Sequence, residues 1–328
     1  MDPVLARLLA PGAGAVRSAE LRRALGDRRF RQLMSFELLN RLSGRVVGVD
    51  AEPAATADRV RRAEVQLGRP VIACLGTAAE LHGFAVRPEP AVHLTTFDGW
   101  SQRTPAGVVL HQAPPRASAV ERAGVLVTDP ADTAVDLARA SPEIDVLAIL
   151  DAALRKGVSD LDLRAAADRA GRRRGVAQVR DWLPFADWRS DSAMESRQRF
   201  RILDAGLPAP DLQVAVDLGD GSFKFLDLGW RKGRVGCDYD SEQFHSGPAL
   251  IKDRVRHNRV TDRGWRMFYS TNRDVYGDPA PLLSQLASAL RSSGYEFGRP
   301  RVPASEIPRP AGPACELAHR SRLLWSAR

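Results

Sequence analysis

Four acids between positions 195 and 240 are the residues of this chain best suited to chemistry. Asp238 and Asp240 sit two apart in Arg234-Val-Gly-Cys-Asp-Tyr-Asp240, which reads as a strand. Both carboxylates then take one face, and Val235, Cys237 and Tyr239 take the other. Asp227 lies in Phe223-Lys-Phe-Leu-Asp-Leu-Gly-Trp230, which reads as the neighbouring strand of a hairpin. Carboxylates converging on one spot repel one another, and the common reason to keep them is a divalent cation held by hard oxygen ligands. Asp227 is the hardest of them to explain structurally, because acids are disfavoured in strands and Phe225, Leu226 and Leu228 flank it. For Asp238 and Asp240 the competing explanation is a salt bridge with nearby arginines. Glu195 brings a fourth acid, although Ser192-x-x-Glu195 is also a capping box that places this residue for helix stability alone.

The elements that must position these acids follow from the surrounding pattern. Ser192 to Gly206 reads as a helix with a glycine stop, followed by the hairpin. Leu250 to Arg263 reads as a second helix, Gly264 as its cap, and Trp265 to Thr271 as a further strand. On the second helix Lys252, Arg256, Arg259 and Arg263 fall at i, i+4, i+7 and i+11, a basic stripe, while Leu250, Ile251 and Val255 mark a core side. His257 in the same helix reads as a phosphate or water contact. Leu282 to Leu290 reads as a closing amphipathic helix.

This order resembles the PD-(D/E)XK nuclease core, and more narrowly the very-short-patch-repair-type endonuclease domain. The matching residues are Glu195-Ser196-Arg197, Asp227-Leu228-Gly229-Trp230, Asp238-Tyr239-Asp240-Ser241 with His245, Asp253-Arg254-Val255-Arg256-His257-Asn258, and Gly264-Trp265. The resemblance implies metal-assisted hydrolysis of DNA. Asp227 and Asp238 would hold one or two Mg²⁺ or Mn²⁺ ions, which acidify bound water and neutralise charge building at phosphorus. Asp240 with His245 would orient the water, Glu195 would support the site, and Lys252 and Arg256 would position the phosphate. Two departures bear on turnover. Asp238 stands where the pattern has Glu, and Ser241 where it has Gly. The motif lysine is also absent, since Asp240 occupies its place, and no obvious cation remains to position the attacking water.

Upstream, Ser18 to Leu25 reads as a helix capped by Ser18, and Asp27 as the cap of another running through Phe30, Leu33 and Met34. Gly44 to Val49 reads as a short strand. Helices followed by a small hairpin suggest a winged helix, and the segment resembles the N-terminal domain of AbiEi-family antitoxins. That resemblance implies a helix in the major groove of DNA, with Arg28, Arg29 and Arg31 at the backbone beside Arg22 and Arg23. A solvated basic face is the equally simple alternative. The same resemblance continues through Val71-Ile-Ala-Cys-Leu-Gly-Thr77-Ala-Ala-Glu-Leu-His82-Gly83, with Thr77 as helix cap and Gly83 as stop. His82, His93 and His111, scattered over this middle region, read as structural residues of half-buried elements rather than metal ligands. Gly171-Arg-Arg-Arg-Gly175 could grip phosphates or close a helix end electrostatically.

These readings assemble into an α+β or α/β multidomain protein. The expected parts are a winged-helix-like domain over 1–52, a mixed α/β antitoxin-like region over 53–185, a restriction-endonuclease-like α/β core over 186–296, and an irregular tail over 297–328. Its 328 residues suffice for two or three cores. The formal charge of +8 favours a polyanionic partner. The cysteines, Cys74, Cys237 and Cys315, lie far apart, which suits a reducing cytoplasm. Neither a signal peptide nor an apolar run of membrane-spanning length is evident, so no membrane partner is expected. Two functional classes follow. One is a divalent-metal-dependent DNA endonuclease with an N-terminal DNA reader. The other is a non-catalytic, antitoxin-like regulator with a degenerate nuclease domain, for which a cognate toxin is a candidate partner.

Overall fold

The computed structural model describes residues 9, 14–43, 45–48, 55–84, 89–96, 104–111, 119–240 and 257–299. His245, Lys252 and Arg256 lie outside the described residues, as does the tail from 300. The chain divides into two compact units, Met1–Leu137 with Ala165–Ala170, and Ala138–Arg164 with Gly171–Arg328.

The first unit opens with β1 (Ala15–Arg17), α1 (Ser18–Ser35), β2 (Asn40–Ser43) and β3 (Val46–Gly48). The strands form an antiparallel sheet in the order β1-β3-β2. Gly26, at φ 77° and ψ 159°, breaks α1 into two helical pieces, a conformation that costs glycine least. Leu21 from the first piece and Phe30 and Leu33 from the second bury against Val16, Leu39 and Val47. Ser18 is the first helical residue rather than the expected cap, and its hydroxyl donates to the Arg45 carbonyl at 2.8 Å.

There follow α2 (Thr56–Leu67), β4 (Ile72–Ala73), α3 (Leu75–Leu81), β5 (Val92–Thr95), β6 (Val108–His111), β7 (Val120–Arg122) and β8 (Val125–Val127). They build a mixed sheet ordered β6-β5-β4-β8-β7, parallel at β5/β6 and β4/β8. Its core holds Val60 and Ala63 of α2 against Val71, Ala73, Leu94 and Val127. Thr77 is not a cap. It lies within α3, where its hydroxyl accepts the His93 N–H at 2.8 Å and ties that helix to β5. Gly83 ends the helix at φ 72°, as its position predicts.

The boundary between the units falls within α4 (Pro130–Ala140). After it come α5 (Glu143–Arg155), α6 (Asp160–Ala170), α7 (Val176–Trp182), α8 (Ala193–Asp204), β9 (Asp211–Asp217), β10 (Phe223–Trp230) and β11 (Val235–Tyr239). Residues 257–262 are helical. They precede β12 (Arg266–Ser270), α9 (Asn272–Tyr276) and α10 (Ala280–Ser292). The sheet runs β12-β11-β10-β9, antiparallel except between β11 and β12. β9 adds a strand to the expected hairpin; the alternation Leu212, Val214, Val216 is its signature, and all three are buried. One core gathers Ile202, Leu212, Leu228, Cys237, Phe268 and Leu286. A second gathers Val214, Val216, Leu226 and Val260.

Two buried ion pairs join α5 to α8. Asp145 meets Arg197 at 2.7 Å and Asp151 meets Arg199 at 2.7 Å. Asp151, fully buried, also accepts the Ser196 hydroxyl at 2.6 Å and the Asp187 N–H at 2.7 Å. Burial still pushes its carboxyl above the usual range. Among the described residues, no helix is long and apolar enough to cross a membrane.

Candidate functional site

The acids meet where two strands stop pairing. β10 and β11 are in register at Trp230 with Val235, Gly229 with Gly236 and Leu228 with Cys237. The next pair in that register is Asp227 opposite Asp238, and there side chains replace the backbone ladder. The Asp227 N–H donates to Asp238 Oδ1 at 2.9 Å, and the Tyr239 N–H donates to Asp227 Oδ2 at 2.8 Å. Each aspartate thus satisfies a backbone donor on the other strand, which a buried N–H requires. On the opposite side of β10, Gln213 of β9 has a left-handed backbone at φ 50°. Leu212 and Leu228, on one side of this irregularity, join one core, whereas Val214 and Leu226 join the other.

Gln213 also reaches α8. Its amide donates to Glu195 Oε2 at 3.3 Å, and the Asp191 N–H donates to the same oxygen at 2.9 Å. Ser192 accepts the Glu195 N–H at 3.2 Å, so the N-terminal cap read from the sequence is present. The structure therefore groups Asp227 and Asp238 with Glu195 as the third charge. Burial, then Asp238, then Glu195 push the Asp227 carboxyl up to about 7, with the Tyr239 N–H and Lys224 acting in the opposite sense. Burial likewise raises Glu195. Asp240 stands outside these reciprocal bonds, one residue beyond β11, where its N–H donates to the Ser270 carbonyl at 2.8 Å.

Sequence reasoning missed Lys224. Its ammonium lies 3.2 Å from Asp238 Oδ2. Simple alternation along β10 sets Lys224 and Asp227 on opposite faces, and Asp238 lies across from Asp227, so counting residues does not bring Lys224 to Asp238. Asp238 thus has Oδ1 engaged by the Asp227 N–H and Oδ2 by the ammonium, and Asp227 has Oδ2 engaged by the Tyr239 N–H. Among the described residues, no group of three or more His, Cys, Asp or Glu is arranged to hold a metal ion. A Mg²⁺ or Mn²⁺ ion bound through Asp238 Oδ2 would have to displace the lysine or share that oxygen with it, so the occupied Asp238 fits a divalent cation poorly.

The basic residues separate into two groups. Arg259 pairs with Asp220 at 2.6 Å and donates to the Leu218 carbonyl at 3.3 Å, bracing the β9–β10 turn. The Arg263 carbonyl accepts from Arg234 at 3.1 Å. His257 hydrogen-bonds the Tyr269 hydroxyl at 2.6 Å. By contrast Arg28, Arg29 and Arg31 are exposed on the helical piece after Gly26, and Arg172, Arg173 and Arg174 are exposed in the turn after α6. The histidines of the first unit have protein partners. His93 Nδ1 and His111 Nε2 are 3.0 Å apart, His93 Nε2 is 3.0 Å from Glu89, and His82 Nε2 donates to the Thr128 carbonyl at 2.8 Å.

Against known proteins, residues 71–185 match the family model of the AbiEi antitoxin C-terminal domain. The chain is also 37% identical over 238 residues to an uncharacterized protein of Mycobacterium tuberculosis strain CDC 1551 / Oshkosh, across 71% of this chain and 86% of the relative. An uncharacterized protein of strain H37Rv matches with the same identity and coverage. The chain belongs to the family of these mycobacterial proteins, and its middle region is AbiEi-antitoxin-like.

Proposed function

We propose that the protein is a non-catalytic, DNA-binding regulator of antitoxin type, whose C-terminal unit keeps a nuclease-like shape. One observation carries this reading: the antitoxin-type region begins shortly after a strand, kinked helix and hairpin that expose Arg28, Arg29 and Arg31. Two helical pieces after β1, followed by the β2–β3 hairpin, support the winged-helix reading, in which the second piece enters the major groove. The net charge of +8 supports a polyanionic ligand. A toxin protein is the second partner proposed, on the antitoxin-domain match alone, and a DNA ligand makes the cytoplasm the proposed compartment.

Fluorescence anisotropy with a labelled duplex across 50–200 mM salt tests the reading. The wild type should bind with an affinity that falls steeply with salt. Replacing Arg28, Arg29 and Arg31 together by Ala should weaken binding by roughly 10- to 100-fold and flatten the salt slope by about 2–3, since each phosphate contact contributes about 0.9. Equal binding by the triple variant would overturn it.

A second reading, the Mg²⁺- or Mn²⁺-dependent endonuclease, draws on the mixed sheet order β12-β11-β10-β9 and on Asp227 beside Asp238. In it Asp227 and Asp238 hold the metal, Glu195, Asp240 and His245 serve the reacting water, and Lys252, Arg256, Arg259 and Arg263 hold the backbone. Metal-dependent nicking of a supercoiled plasmid, abolished by Asp227→Ala with folding intact, would favour it over the first.

A further inference from the structure

The Asp227–Asp238 pair raises a question of charge that the fold already answers. Two carboxylates on adjacent strands, Asp238 only 7% exposed, cost stability unless something offsets their repulsion and desolvation. The offsets present are the Asp227 and Tyr239 N–H groups and the Lys224 ammonium. The choice of cation is telling in an arginine-dominated chain. Of 48 basic residues, the lysines are Lys156, Lys224, Lys232 and Lys252. A guanidinium is a planar fork suited to both oxygens of one carboxylate, whereas an ammonium is a compact point charge that can sit on a single oxygen. At Asp238 the ammonium sits on Oδ2, while Oδ1 accepts the Asp227 N–H.

We propose that Lys224 is the resident counter-ion of this pair, holding the place a divalent cation takes between paired carboxylates, so that the wild-type chain binds neither Mg²⁺ nor Mn²⁺ there. The lysine makes the acid pair a permanent joint between β10 and β11 rather than a metal centre. This deepens the non-catalytic reading of the C-terminal unit, and its test is run without DNA, so that loss of DNA binding and loss of this assignment are separate results.

The experiment titrates Mn²⁺ into the full chain at pH 7.5, following free Mn²⁺ by electron paramagnetic resonance and stability by thermal melting. Wild type should show no site tighter than millimolar and no rise in Tm. Lys224→Met should gain a site at least tenfold tighter with a matching rise in Tm, and adding Asp238→Asn should abolish the gain. Lys224→Gln serves as the second variant should the methionine form not fold, with the same expected gain. Mn²⁺ binding by wild type that Asp238→Asn removes would overturn the proposal whatever the variants do. So would a folded Lys224→Met or Lys224→Gln protein that acquires no site.

Discussion

At Asp227 burial and two neighbouring acids hold a carboxyl far above its ordinary range, from 3.8 to about 7. An acid with a raised folded pKa keeps its proton over a window in which the unfolded chain has lost it. Stability therefore falls as pH rises from about 4 to 7, and the loss is complete above that window. Asp227→Asn removes this titration while keeping an oxygen to accept the Tyr239 N–H. Its stability relative to wild type should improve by roughly 1–3 kcal/mol between pH 5 and pH 8, measured by urea denaturation at the two pH values. A difference independent of pH would show that Asp227 is not held protonated. The importance of Asp227 was legible in the sequence, because an acid among Phe225, Leu226 and Leu228 has no place on an ordinary strand. The lysine that meets Asp238 was not, since simple alternation puts Lys224 on the face away from the Asp227–Asp238 pair.

Elements whose signals are local were the most legible. Asp160–Ala170 forms the helix its Ser159 cap predicts, with the Asp162 N–H donating to Ser159 Oγ at 3.1 Å. Glycines at 83, 206 and 264 sit at positive φ where helices stop. The Arg197 and Arg199 side chains of α8 tell a different story. Both are buried against carboxylates of α5, supplied 52 and 48 residues upstream. No spacing rule connects residues so far apart. Removing one partner leaves the other charge buried, so Asp151→Ala should destabilise by about 3–5 kcal/mol in chemical denaturation. Adding Arg199→Met should recover part of that loss, because it removes the unpaired buried charge but not the Ser196 and Asp187 donors left without an acceptor.

For the whole molecule, the division into two compact units with separate cores predicts that unfolding is not two-state. Calorimetry should resolve two transitions, and Asp151→Ala should lower the temperature of one while leaving the other in place. A single transition shifted as a whole would show that the units unfold together. The sequence by itself determined the mixed α/β class, most of the helices, the basic character and the placing of Asp227 and Asp238 on neighbouring strands, because these follow from periodicity, caps and composition. Only the tertiary structure decided how those acids are neutralised and which arginines are spent on buried carboxylates. Charge balance in a folded chain depends on which groups meet, and those meetings join segments whose separation along the chain carries no periodic signal.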